Sequence, residues 1–130
     1  MEIHSRQQFR LWLAEHFLDR NGVWVIFSKG NVSNTLRASE ALEEALCFGW
    51  IDGQIRPIDE VKYMKYFAPR GEKSTWSERN KKLAEKLVGA GLFTEYGVSV
   101  MERSKNNGSW DHKEKSINLD SMVNTLAEKL

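Results

Sequence analysis

Residues 50–67, WIDGQIRPIDEVKYMKYF, decide the fold. Trp50 to Arg56 and Tyr63 to Phe67 have the apolar and aromatic content of strands, and Pro57 to Glu60 has the composition of a turn. The Asp52-Gly53 pair is also compatible with a two-residue hairpin turn. The arms around that pair are short, so we favour one strand with a glycine kink or bulge. The stretch therefore predicts two antiparallel strands.

Upstream of this stretch, the sequence predicts two helices and one further strand. Apolar residues at helical spacing indicate an amphipathic helix over Ser5 to Asp19. The run Val23 to Phe27 predicts a strand that is buried on both faces. A second helix is expected to begin at a Ser39 N-cap and to close at Gly49 in a left-handed cap.

Downstream, two more helices are predicted. The third follows an N-cap at Ser77 and runs from Glu78 to Val88, and the fourth runs from a cap at Thr94 to Asn107-Gly108. The predicted class is α+β, with a small, mostly antiparallel sheet packed with about four helices.

The length of 130 residues suits one domain, which we place at residues 1–111. Residues 112–130 are interpreted as a C-terminal tail, a docking helix or a contact between two copies. Their apolar residues have helical spacing but no apolar neighbours, and they are Ile117, Leu119, Met122, Val123 and Leu126.

The charge of the chain is unevenly distributed. Residues 1–61 carry a net charge of −3, residues 62–82 carry +5 and residues 83–130 carry −1, which gives +1 for the whole chain. Near-neutrality argues against whole-molecule attraction to nucleic acid or to a membrane, but the short basic segment is compatible with a local anion site.

The sequence also excludes several classes of protein. It has no apolar run that could span a bilayer, and its polar beginning is not that of a signal peptide, so we expect a cytoplasmic protein. Its single cysteine, Cys47, excludes an internal disulfide and is interpreted as a buried structural thiol. The histidines lack metal-ligand spacing and no nucleotide-binding glycine motif is present, so neither a metal nor a cofactor is expected.

Two long blocks resemble a known family. Residues 43–54, EEALCFGWIDGQ, are similar to the central signature of the bacterial YdeI/OmpD-associated proteins, which are also labelled bacteriocin-protection proteins. The second block is YFAPR at 66–70 followed by KSTWS at 73–77 and Asn80. The runs WLAEH at 12–16 and GSWD at 108–111 match as well, so the resemblance covers roughly residues 5–111.

This resemblance implies a role in tolerance of antimicrobial peptides or bacteriocins, or an association with an outer-membrane porin, of which we favour the first because the sequence begins without a signal peptide. The family has no settled catalytic activity that could be assigned to residues of this sequence. Members of that family commonly continue into a further helical segment rich in Arg and Lys, of which residues 117–130 look like only the beginning.

The first candidate site is the basic segment. Arg70 and Lys73 supply positive charge, Ser77 at a helix start leaves backbone N–H groups free, and Trp76 offers a flat face. Ser74 and Asn80 add hydrogen-bonding groups. The structural alternative is that Ser77 only caps the helix and that Trp76 packs on the core.

The second candidate is Trp50, Asp52 and Gln54, which point the same way if the strand alternates regularly. Asp52 opposite Arg70 would form a charge pair in a cleft, which is a weak indication of a functional site. The alternative is an aspartate in a turn and a core tryptophan.

Three functions follow from these candidates. The first is a binding domain that holds a small anionic or aromatic ligand, or an acidic peptide, in a groove between the two candidate stretches. The second is an enzyme with Asp52 as general base. The third is a weak nucleic-acid binder that uses the basic segment at 62–82.

Overall fold

The structure, a computed structural model, describes residues 1–30 and 36–111. The helices are α1 (Arg6–His16), α2 (Ala38–Cys47), α3 (Glu78–Gly89) and α4 (Glu95–Asn107), and the strands are β1 (Val23–Ser28), β2 (Trp50–Pro57) and β3 (Lys62–Pro69). The predicted α+β class, a small antiparallel sheet with four helices, is confirmed. The tail or docking helix predicted at 112–130 lies outside the described residues.

The sheet has the order β1-β3-β2, and β3 is antiparallel to both neighbours. Asp52 pairs with Phe67, whereas Ile55 pairs with Lys65, so β2 carries one extra residue between these pairs. The kink or bulge predicted at Gly53 is therefore confirmed, and the two-residue hairpin turn is not formed.

The prediction for β1 was wrong in one respect. Val25 and Phe27 are buried, but Val23, Trp24 and Ile26 are only half-buried. Val25 and Phe27 face the core, whereas the Trp24 ring on the other face meets Tyr66 and Arg56 of the other two strands, so alternation replaces the expected burial on both faces.

Four of the predicted helix ends are confirmed, and one of them is the left-handed cap of α2 at Gly49, where φ is 79°. The Ser77 hydroxyl accepts the Asn80 N–H at 3.1 Å, and the Thr94 hydroxyl accepts the Gly97 N–H at 3.0 Å. Gly108 ends α4 in the left-handed region, with φ of 88°.

The predicted start of α2 was wrong. Arg37 occupies the N-cap position, and the Glu40 carboxylate reaches back to accept the Arg37 N–H at 3.0 Å. Ser39 therefore lies within the first turn, and the helix start is stabilised by Glu40 at the third helical position, which accepts the N–H of the N-cap residue itself.

Helix α2 is the centre of the molecule. It contacts α1, β2, α3 and α4, and most of its side chains are buried. The core continues through α1 and the inner face of the sheet with Phe9, Leu13, Val25, Phe27, Trp50 and Phe67. Helices α3 and α4 therefore pack on the far side of α2, next to the loop that follows β3.

Candidate anion-binding site

The two stretches predicted to form a groove are neighbours in the structure. Trp50 pairs with Pro69 in the sheet, and the Arg70 N–H donates to the Gly49 carbonyl at 3.1 Å. There is no hollow between them, however, because the Trp50 side chain is completely buried and its indole N–H donates to the Phe17 carbonyl at 3.0 Å. Trp50 is a core residue, so its predicted role as a groove wall was wrong.

Asp52 and Gln54 do not join a site with Arg70. The Asp52 carboxylate forms its ion pair with Lys65, at 2.8 Å, instead of the predicted pair with Arg70. Gln54 lies in the bulge and is exposed. The extra residue breaks the alternation on which the prediction of a shared face for Trp50, Asp52 and Gln54 depended.

The serines and Asn80 serve the backbone. Ser77 caps α3 through the Asn80 N–H, and the Ser74 N–H donates to the Gly71 carbonyl at 3.1 Å in a turn. Nothing in the described residues brings a second ligand-binding group to the start of α3. Ser77 therefore acts as a helix cap, which is the structural alternative given in the sequence analysis.

Arg70 is the predicted residue whose environment is unusual. Its side chain is 6% exposed, and its guanidinium stacks on the Trp76 ring with 3.9 Å between Cζ and the ring centroid. Nη2 donates to the Thr75 carbonyl at 2.9 Å, but Nε and Nη1 have no acceptor among the described residues. Trp76 is buried beneath this cation, so it supports Arg70 and does not offer its face to a ligand.

The pKa of Arg70 reflects this environment. Burial lowers it to about 10; the Asp52 charge raises it, and repulsion from Arg103 lowers it. Arg70 therefore stays charged at neutral pH, and a second arginine lies near enough to repel it.

Arg103, on α4, completes the cluster. Its Nε and Nη2 atoms are buried without an acceptor among the described residues, and the Trp76 indole N–H is likewise buried without an acceptor. In the part of the chain that the structure describes, neither Arg70 nor Arg103 has a carboxylate within ion-pair distance. We call Arg70, Trp76 and Arg103 the cationic cluster; together they present five unpartnered N–H donor atoms.

Arg103 also lines an open cavity of about 570 Å³ between α4 and the loop after β3. Its wall consists of Glu72, Lys73, Ser99, Glu102, Arg103, Asn106 and Asn107. Lys73 is the only one of these that the sequence analysis identified. The others had a detectable signal, because positions 99, 102, 103 and 106 are polar at the spacing of one helix face.

The end of α4 fixes the loop that carries Arg70. The Trp76 N–H donates to the Ser109 carbonyl at 3.2 Å, and the Asn107 side-chain amide donates to the Glu72 carbonyl at 2.7 Å. The Trp76 and Trp110 rings lie 4.9 Å apart. Residues that are distant in sequence therefore position the cluster and the cavity together.

Other chemistry finds little support in the described residues. They contain no group of His, Cys, Asp and Glu that could hold a metal ion. Cys47 is buried, as predicted. Among the described helices, none has the length and apolar character needed to cross a membrane.

Fold and site together define a small α+β domain with a buried cationic cluster behind an open cavity. The chain belongs to the family described as a domain of unknown function, DUF8412, which matches residues 1–100. Comparison with curated proteins and with solved structures finds no match. The resemblance to the YdeI/OmpD-associated proteins stays a prediction.

Proposed function

We propose that the protein is a small binding domain that holds an oxyanion, a carboxylate or a phosphate group, at Arg103 with Arg70 behind it. The observation that carries the proposal is the set of buried, unpartnered N–H donor atoms on two neighbouring arginines, of which Arg70 is buried and Arg103 is half-buried.

Burying a guanidinium without an acceptor costs several kcal/mol, and a second cation nearby adds to that cost. Most buried polar groups in proteins are hydrogen-bonded for this reason. An oxyanion would offset the cost, because carboxylate and phosphate oxygens match the fork of donors on a guanidinium. The Arg70–Trp76 stack is then a support that keeps one cation in place.

Access to the cluster is through the cavity. Arg103 and Lys73 both line it, and Lys73 is exposed to solvent. The unpartnered donor atoms of both arginines are buried. A ligand therefore first meets the part of Arg103 that lines the cavity, and it reaches the unpartnered donors only after a side-chain shift, while Arg70 acts through its charge.

The enzyme alternative is less well supported. Asp52, the predicted general base, is engaged by Lys65 and lies outside the cavity wall. A base must have its carboxylate within reach of a substrate proton, and the cavity offers it no such position.

The nucleic-acid alternative is also weakened by pairing. Lys62, Lys65 and Lys81 of the basic segment contact Glu2, Asp52 and Glu78. Glu2 and Asp52 lie outside the segment and offset two of its five excess positive charges, whereas Glu78 belongs to the segment and is already counted in that excess. A role in peptide or bacteriocin tolerance and a cytoplasmic location stay predictions.

The test is an NMR titration of the full chain with inorganic phosphate at constant ionic strength. The Trp76 indole N–H, assigned with Trp76→Phe, is the reporter in the cluster. We expect Arg103→Gln to weaken phosphate binding at least about tenfold, since one charge-assisted hydrogen bond contributes about 1.5–3 kcal/mol.

The matched control is Arg79→Gln, which removes an exposed arginine of the basic segment that does not line this cavity. It should leave the affinity unchanged. If phosphate does not shift the NMR signal of the Trp76 indole N–H, or if both variants weaken phosphate binding equally, the cationic cluster is not an anion site.

A further inference from the structure

The cavity wall contains acids as well as cations. Glu72 and Glu102 line it together with Lys73 and Arg103. Among the described residues the Glu72 carboxylate has no partner, and the nearest cation to Glu102 is Lys105, at the long distance of 3.9 Å. Charges of both signs thus face one space without pairing across it.

The neutral groups of the wall add to the acceptors. The Ser99 hydroxyl donates its proton to the Tyr96 carbonyl at 2.7 Å, so its oxygen can only accept from a ligand. Ser99 and Arg103 are four residues apart on α4, which is about one helical turn and about 6 Å along its axis. An acceptor, Ser99, and a donor, Arg103, therefore lie next to each other in the cavity wall.

We infer that the ligand is a zwitterion of the α-amino-acid class, whose carboxylate meets Arg103 and whose ammonium meets Glu72, Glu102 and Ser99. This inference rests on the proposed oxyanion site and names its ligand. A cavity of about 570 Å³ is in the range that small-molecule sites occupy and leaves room for a side chain.

The acids provide selectivity. A site with cations alone binds any anion, whereas carboxylates in its wall weaken the binding of a phosphate or a dicarboxylate without abolishing it, and they favour a ligand with an ammonium group. The prediction is that affinity depends on both charges of the ligand.

The experiment repeats the NMR titration with the standard free amino acids, and then with the N-acetyl and the carboxamide derivatives of the amino acid that binds best. We expect either derivative to bind at least about tenfold more weakly than the parent, because each lacks one charge-assisted contact. Glu72→Gln should remove most of the preference over the N-acetyl derivative and leave the affinity for that derivative unchanged. Glu85→Gln, an exposed acid on α3, is the matched control.

Two failures are distinguishable. If phosphate binds in an Arg103-dependent way but no amino acid does, or if the N-acetyl derivative binds as well as its parent, the zwitterion inference is wrong and the oxyanion site stands. If neither phosphate nor any amino acid shifts the Trp76 signal, both proposals are wrong.

Discussion

At the scale of single residues, the protein buries charge in two contrasting ways. The buried Glu44 accepts from Arg6 at 2.9 Å and from Arg10 at 2.9 Å, so each of its carboxylate oxygens has a partner. Arg70 is equally buried but has one hydrogen bond. The chain can therefore satisfy a buried ion fully where structure alone requires it, which makes the unpartnered donors of the cationic cluster stand out.

Cys47 is a thiol whose nucleophilicity is lowered by burial. Burial raises its pKa to about 11, the neighbouring Glu44 also raises it, and Arg10 lowers it. The predicted buried structural thiol is consistent with this shift, of which burial is the largest cause. At neutral pH the residue is a thiol, which is a poor nucleophile.

The pH dependence of stability follows from this shift. The pKa of Cys47 in the folded protein lies above its usual value of 9.0. The contribution of the protonated thiol to the free energy of unfolding is therefore complete below about pH 9 and is lost as the pH rises through about 11. We expect Cys47 to contribute up to about 3 kcal/mol of this loss. The measurement compares urea unfolding of the wild type and Cys47→Ala at neutral pH and at about pH 10.5. A stability difference between them that is the same at both pH values would contradict the prediction.

At the scale of elements, the crossing of α4 over the end of α2 depends on a glycine. A Cβ at Gly97 would overlap the Cys47 carbonyl. The same carbonyl accepts from the Thr94 hydroxyl at 2.7 Å and from the Thr94 N–H at 3.1 Å. The start of α4 is thus hydrogen-bonded to the end of α2 through Thr94. The close approach of the two backbones that this requires is possible only with glycine at position 97.

We expect Gly97→Ala to lower the free energy of unfolding by about 3 kcal/mol, because backbone cannot move aside as a flexible side chain can. Gly89→Ala is the matched control, since a Cβ at this helical glycine meets nothing within 4 Å. It should be neutral or stabilising by up to about 1 kcal/mol. Urea unfolding of both variants tests the pair, and equal stabilities would show that the crossing is not limited by the glycine.

At the scale of the whole molecule, the family match and the packed structure end at different places. The match covers residues 1–100, but α4 continues to Asn107. Beyond residue 100, Met101, Ser104 and Trp110 are buried. The last part of α4 therefore belongs to the core and also carries Arg103.

A chain that ends at residue 100 should be less stable than the full chain by at least about 3 kcal/mol, because it loses the burial of Met101 and Trp110. Urea unfolding followed by far-UV circular dichroism measures the difference. The matched control ends at residue 111 and keeps every contact described above. Equal unfolding midpoints for the shorter chain and this control would show that the fold is complete at residue 100.

Much of the fold could be predicted because it is encoded locally. Ser77 and Thr94 cap helices through atoms three residues away, and Gly108 ends one through its own backbone freedom. The bulge at Gly53 and the antiparallel pairing follow from a strand, a turn and a strand that are adjacent in the chain. Short-range chemistry of this kind can be read from the order of residues.

The site depended on tertiary structure. The sequence analysis identified Arg70 and Lys73, but Arg103 lies at least thirty residues away from both. Trp50 proved to be a core residue, and Asp52 proved to pair with Lys65. Periodicity says which face of an element is buried, whereas packing decides which charges meet and which donors remain without an acceptor. The sequence by itself thus determined the elements and their caps. Only the folded chain placed two arginines together with no carboxylate of the described residues at ion-pair distance, because that juxtaposition is a property of the contact between α4 and the loop after β3.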